Sequence, residues 1–134
     1  MQMIEAHNAL GVDFAYLGNH EFYFGIDAFL NSASGALLRG AAPRAVKQFD
    51  HPEFGKIMIG FFGVMYDMKL PGNTLFWSDP IEAAKRQVKI LREVNKMDFV
   101  IALTHQKLVD DNQFSKEVTG VGVIYGGHEH TAML

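Results

Sequence analysis

Six histidines and no cysteine stand among the 134 residues, so a metal bound by this chain is held by His, Asn, Asp or Glu rather than by thiolate. Four of the six histidines fall in three short polar turns: Gly18-Asn19-His20-Glu21, Thr104-His105-Gln106 and Gly126-Gly127-His128-Glu129-His130. Neutral imidazole suits zinc, manganese, iron or nickel, and an Asn carbonyl oxygen adds a hard, uncharged ligand. His128 and His130 are two positions apart and in an extended segment point the same way. One metal then takes both, or two adjacent metals take one each. Glu21 and Glu129 lie inside the turns, either as ligands or, more simply, as groups that orient the neighbouring histidines.

Each turn directly follows a continuous apolar run: Val12–Leu17 (VDFAYL), Phe99–Leu103 (FVIAL) and Val121–Tyr125 (VGVIY). Such runs read as buried strands, and ligands of open α/β sheets bind just outside the carboxyl ends of the strands. If the three strands are parallel neighbours, Asn19, His20, His105, His128 and His130 converge on one crevice. His7, on a predicted helix, and His51, in a turn before Pro52, follow no buried strand and serve as internal controls with structural or surface roles.

The elements between the turns fit that scheme. Met1–Leu10 has helical spacing with Gly11 at the C-terminal cap position. A second short helix is expected from about Ile26 to Ser32, and irregular chain from Ser34 to Arg44. Val46–Phe49 and Lys56–Met65 read as two strands around the breakers Asp50, Pro52 and Gly55. After a loop over Leu70–Phe76, the clearest helix starts at Asp79, with Pro80 at its first position and Glu82 three residues after the cap. Ile81, Ala84, Val88 and Leu91 form its apolar stripe, with Lys85, Arg86, Lys89, Arg92 and Lys96 on the solvent side. A further helix is expected over Asp110–Val118. Strands separated by helices predict an α/β sheet with parallel members.

Composition narrows the function classes. At 49% hydrophobic and 20% charged the chain is globular, and its length suits one domain. Twelve Lys plus Arg against fifteen Asp plus Glu leave a net charge of −3, which argues against a nucleic-acid partner. The longest uncharged apolar run, Ile57–Tyr66, is too short for a membrane span and contains Gly60 and Gly63. Met1–Leu10 lacks the basic start of a signal peptide. Phe61, Phe62, Phe76 and Trp77 invite reading as a base clamp, but aromatics in or beside an apolar run belong more often to a core.

The stretches EAHNALGVDFAYLGNHEFYFG (Glu5–Gly25), DPIEAAKRQV through DFVIALTH (Asp79–His105) and VGVIYGGHEH (Val121–His130), in the order GNHE, TH, GGHxH, resemble the calcineurin-like metallophosphoesterase superfamily, and within it the 5′-nucleotidase branch. The resemblance implies an α/β/β/α sandwich of mixed sheets flanked by helices, of which this chain is the later half. It implies hydrolysis of a phosphate ester, of nucleotide class, by a metal-activated hydroxide. Asn19, His105 and His128 match ligands of the second metal and His130 a ligand of the first. His20 matches the histidine that stabilises the transition state and protonates the leaving group.

Two departures carry consequences. The family's Asp-x-His and Gly-Asp turns, which supply the carboxylate ligands, have no counterpart within the 134 residues. The expectation is therefore a single, N-terminally incomplete catalytic domain over 1–134. One Asn and three His cannot offset two close divalent charges, so at most one ion is expected, zinc or manganese, on Asn19, His105 and His128 with water or His130 completing the set. Second, Tyr23 stands where the branch has an Asp that pairs with the catalytic histidine. Asp27, about one turn further on, is a candidate substitute carboxylate, and His20 is expected to be a weaker acid catalyst than in a typical member. An exposed sheet edge implies either a missing N-terminal segment as partner or self-association. The alternative is a catalytically inactive metal- or phosphate-binding chain.

Overall fold

Asp50, Pro52 and Gly55 interrupt a β-forming stretch, and the chain turns there into a hairpin of β1 (Arg44–His51) and β2 (Gly55–Met65), paired antiparallel from Arg44↔Phe62 to His51↔Gly55. The computed structural model describes residues 2–28, 43–66, 68 and 78–130. Its further elements are helix α1 (Gln2–Ala9), a 3-10 turn (Asn19–Phe22), α2 (Pro80–Lys89) running into a π-turn (Ile90–Val94), β3 (Phe99–His105), α3 (Leu108–Glu117) and β4 (Val123–Gly127). Residues 26–28 are helical. The rest of the helix expected to Ser32, nearly all of the loop from Ser34 and the loop over Leu70–Phe76 lie outside the described residues.

The sheet order is β1-β2-β3-β4, with β2, β3 and β4 mutually parallel. Parallel neighbours need a crossover, and α2 and α3 supply the two connections. Asp79 caps α2 as the sequence predicts, its Oδ1 accepting the Glu82 N–H at 2.9 Å, with Pro80 first in the helix. The apolar stripe Ala84, Val88 and Leu91 packs with Met97, Phe114 and Val118 against Phe62, Val64, Val100 and Ala102. Those four strand residues share one face of the pleat, so both helices cover that face, as in half of a layered α/β sandwich. No helix among the described residues is long and apolar enough to cross a membrane.

Three expectations change. Val12–Leu17 is not a strand, because it joins no ladder. It lies across the face opposite the helices, with the Phe14 ring 4.5 Å from Phe61 and Asp13 paired to Lys47 at 2.5 Å. An apolar run records a demand for burial, and side-chain contact with a sheet face meets part of that demand without backbone pairing. Next, β3 and β4 run two residues beyond the expected ends, through His105 and Gly127, because ladder pairing depends on backbone groups that glycine also carries. Finally, Arg92 leaves the solvent side of its helix. Its Nε and Nη2 donate to the Gly120 carbonyl at 3.1 and 2.9 Å, and Nη1 to the Met97 and Asp98 carbonyls at 3.1 and 2.7 Å. A planar fork of donors tied to two loops is staple rather than surface charge.

Candidate metal centre

The parallel strands end level: Met65 pairs with His105, and His105 with Gly127. Whatever follows each strand therefore shares one sheet edge. The pleat then sorts the side chains of β3. Val100, Ala102 and Thr104 are buried on the helix side, so His105 turns to the opposite face, where the extended segment ends. Gly18 passes directly over the imidazole: a Cβ there would stand 2.7 Å from His105 Cε1 and 2.8 Å from Nε2. On the other flank a Cβ at Gly127 would stand 3.2 Å from Nδ1. The ring is held between two glycine backbones, and the absence of side chains there is what admits it.

Asn19 follows Gly18 into the 3-10 turn. Glu21 closes that turn by accepting the Gly18 N–H, and the buried Phe22 anchors it. Asn19 is only 4% exposed, and its Oδ1 lies 2.8 Å from His105 Nε2. Its Nδ2 donates to the Tyr23 hydroxyl. His128 completes the group, its ring centroid 5.1 Å from that of His105 in an edge-to-face arrangement. With φ +83° His128 occupies the left-handed region that a side chain seldom adopts, at a cost of about 1–3 kcal/mol. Tyr66, whose N–H donates to the His105 carbonyl at 3.1 Å, places its ring 4.7 Å from that of His128. Tyr66 escaped the sequence reading, although it follows β2 at the same edge. Applying the strand-end rule to the hairpin strand as well as to the three apolar runs finds it.

Burial, and then the neighbouring His128, hold the His105 imidazole below the ordinary histidine range, with Glu21 opposing. The ring therefore stays neutral to lower pH than a free histidine, and neutral imidazole is the form that can bind a metal. A group whose folded-state pKa is depressed binds fewer protons folded than unfolded, so its contribution to stability falls with pH. Between about pH 7.5 and pH 5.5, spanning the unfolded value near 6.5, His105→Gln is expected to flatten the loss of stability in urea unfolding of the metal-free chain. An unchanged slope refutes the assignment.

The remaining expected site residues are less closely gathered. His20 is exposed, with its ring 4.6 Å from that of Tyr23. Asp27 is exposed, and among the described residues no hydrogen bond or ion pair joins it to His20. Glu129 accepts the Leu108 N–H at 3.3 Å, at the start of α3, rather than orienting a histidine. His130 is exposed at the end of the described chain. His51 Nδ1 accepts the Glu53 and Phe54 N–H groups at 3.2 and 3.4 Å, a turn-forming role, and His7 is exposed on α1. Phe62 belongs to the core and Phe61 packs on Phe14, while Phe76 and Trp77 lie outside the described residues.

Among the described residues no three His, Cys, Asp or Glu side chains gather closely enough to hold a metal. The cluster that does form has two imidazoles and one amide oxygen and includes no carboxylate. That donor chemistry fits a single divalent ion with water filling the remaining positions, and does not fit a close pair.

Residues 2–132 match the family model of the calcineurin-like phosphoesterases. The chain is similar to the 5′-nucleotidase of Bos taurus, 29% identical over 92% of this chain and 25% of that protein. A snake venom 5′-nucleotidase of Gloydius brevicauda is 28% identical over 97% of this chain and 25% of its own length. The trifunctional nucleotide phosphoesterase protein YfkN of Bacillus subtilis is 39% identical over 46% of this chain and 4% of its own. The chain thus spans about a quarter of the length of the 5′-nucleotidases it matches.

Proposed function

The chain belongs to the calcineurin-like phosphoesterase family, and from that premise we propose that Asn19, His105 and His128 form one side of a divalent-metal centre that hydrolyses phosphate esters, nucleotides being the substrate class. The observation that carries this reading is the 2.8 Å approach of Asn19 Oδ1 to His105 Nε2 inside a glycine-walled cradle beside His128. The similarity to 5′-nucleotidases supports the substrate class.

A divalent ion bound there supplies a polarised phosphoryl oxygen and an activated water. The chain's own residues do the rest. In this structure His105 Nε2–H donates to Asn19 Oδ1, and an ion held there would take the place of that proton between two uncharged donors. His20, exposed on the turn beside them, stabilises developing charge on the phosphate and gives a proton to the leaving oxygen. His130, at the same strand end as His128, is the natural further ligand. Tyr23 gives His20 ring contact at 4.6 Å and supplies no carboxylate.

Among the described residues no carboxylate hydrogen-bonds to Asn19, His105 or His128. We place the missing charge on Asp-x-His and Gly-Asp turns contributed from outside these 134 residues, by a further segment or by a partner chain at the outer edge of β1 or β4, which no other strand among the described residues pairs. The 134-residue chain then binds a metal without appreciable turnover. The test is hydrolysis of a chromogenic phosphate monoester with added manganese or zinc, by this chain and by the protein with those turns joined to it. Turnover is expected only in the second and is lost with His128→Ala. Metal-dependent turnover by the 134 residues alone, abolished by His128→Ala, removes the need for outside carboxylates. No turnover in either sinks the hydrolase reading and leaves metal binding as the function.

A further inference from the structure

We propose that Tyr23 is the positioning residue for Asn19, acting on the amide rather than on His20. The proposal rests on the reading of Asn19 and His105 as ligands. A side-chain amide has two unlike ends: Oδ1 only accepts and can bind a cation, whereas Nδ2 only donates and cannot. Rotation by half a turn exchanges them with almost no change in shape. Something must therefore choose the end that faces His105.

The Tyr23 hydroxyl accepts from Asn19 Nδ2 while Oδ1 is turned to His105 Nε2 at 2.8 Å, so the two contacts together hold one orientation of the amide. The geometry for this contact is local. Tyr23 ends the 3-10 turn, its own N–H donating to the His20 carbonyl at 3.3 Å, so its phenol reaches back along the turn to residue 19. The ring rests 4.6 Å from the His20 ring, which steadies it from the side. Asn19 is buried, so an Nδ2 without a partner carries a desolvation cost, while Tyr23 itself is 62% exposed and contributes little packing. Removing only the hydroxyl therefore frees the amide without opening a hole. Where the residue opposite His20 supplies no charge, the same side chain has taken on the neighbouring ligand.

The test uses the 134-residue chain and cobalt(II), whose d–d absorption reports the ligand set. Tyr23→Phe is expected to weaken cobalt binding about 10- to 100-fold, the usual cost of losing a group that orients a ligand. In the metal-free protein it is expected to shift and broaden the Asn19 side-chain amide signals in a nitrogen–proton correlation spectrum. The decisive comparison is with Asn19→Asp. A carboxylate offers oxygen at both ends, so its orientation no longer matters, and Tyr23→Phe in that background should change cobalt affinity by less than about threefold. A general structural role of Tyr23 predicts the same loss in both backgrounds and overturns the proposal. Equal cobalt affinity in the wild type and Tyr23→Phe overturns it as well. If the wild type binds no cobalt, the metal reading falls on its own account. The Asn19 amide spectrum then decides the positioning claim, and signals unmoved by Tyr23→Phe reject it.

Discussion

His105→Ala is expected to weaken cobalt binding by this chain by more than about 100-fold, while His7→Ala leaves it unchanged. Among the described residues His105 stands at the centre of the cluster: Gly18 and Gly127 flank its ring, Asn19 Oδ1 meets its Nε2 at 2.8 Å, and the His128 ring stands edge-on at 5.1 Å. Its position is dictated twice, by the pleat of β3 and by the two glycine backbones. For that reason Gly18→Ala should approach the same loss without removing a ligand, since a methyl 2.7 Å from the ring must displace it. Isothermal titration of cobalt into the three variants distinguishes these outcomes. Undiminished binding by His105→Ala would move the metal site elsewhere in the molecule.

Phe114→Ala is expected to cost about 3–5 kcal/mol of stability, the range for emptying a buried aromatic site. Phe114 is fully buried, with its ring centroid 6.5 Å from that of Phe62, and it links α3 to the centre of the sheet. Against the 5–15 kcal/mol that holds a typical domain, this is a large fraction, and it should lower the melting temperature by about 10–20 °C. The site should suffer too, because α3 follows His105 almost immediately and Gln106 Nε2 donates to Asp111 Oδ1 on that helix at 2.9 Å. Val109→Ala, on the same helix but 66% exposed, should cost little. Urea unfolding of both variants checks the pair, and a Phe114→Ala cost near that of Val109→Ala contradicts the assigned core.

The elements that proved readable were those whose signal is local. Asp79, Pro80 and the spacing of Ala84, Val88 and Leu91 define α2 without reference to any other segment. Asp50, Pro52 and Gly55 define the hairpin in the same way. Val12–Leu17 failed the same test because strand formation requires a partner backbone, which no property of the run itself can promise. Arg92 misled for a related reason. On a helical wheel it belongs with its solvated neighbours, and only the loops at Met97 and Gly120 turn it inward.

The chemistry divides along the same line. The types of the candidate ligands, their placement directly after apolar runs, and the absence of thiolate and of the two carboxylate motifs were all properties of the sequence by itself, because they depend on side-chain identity and chain order. That Asn19 meets His105, that Tyr66 stands against His128, that Tyr23 serves the amide and Glu129 the start of α3 were decided only in three dimensions. Register brings Met65, His105 and Gly127 level, and the pleat selects the face. Contacts between residues some 86 positions apart follow from that register and from which backbones lack a Cβ, and neither is written in local composition.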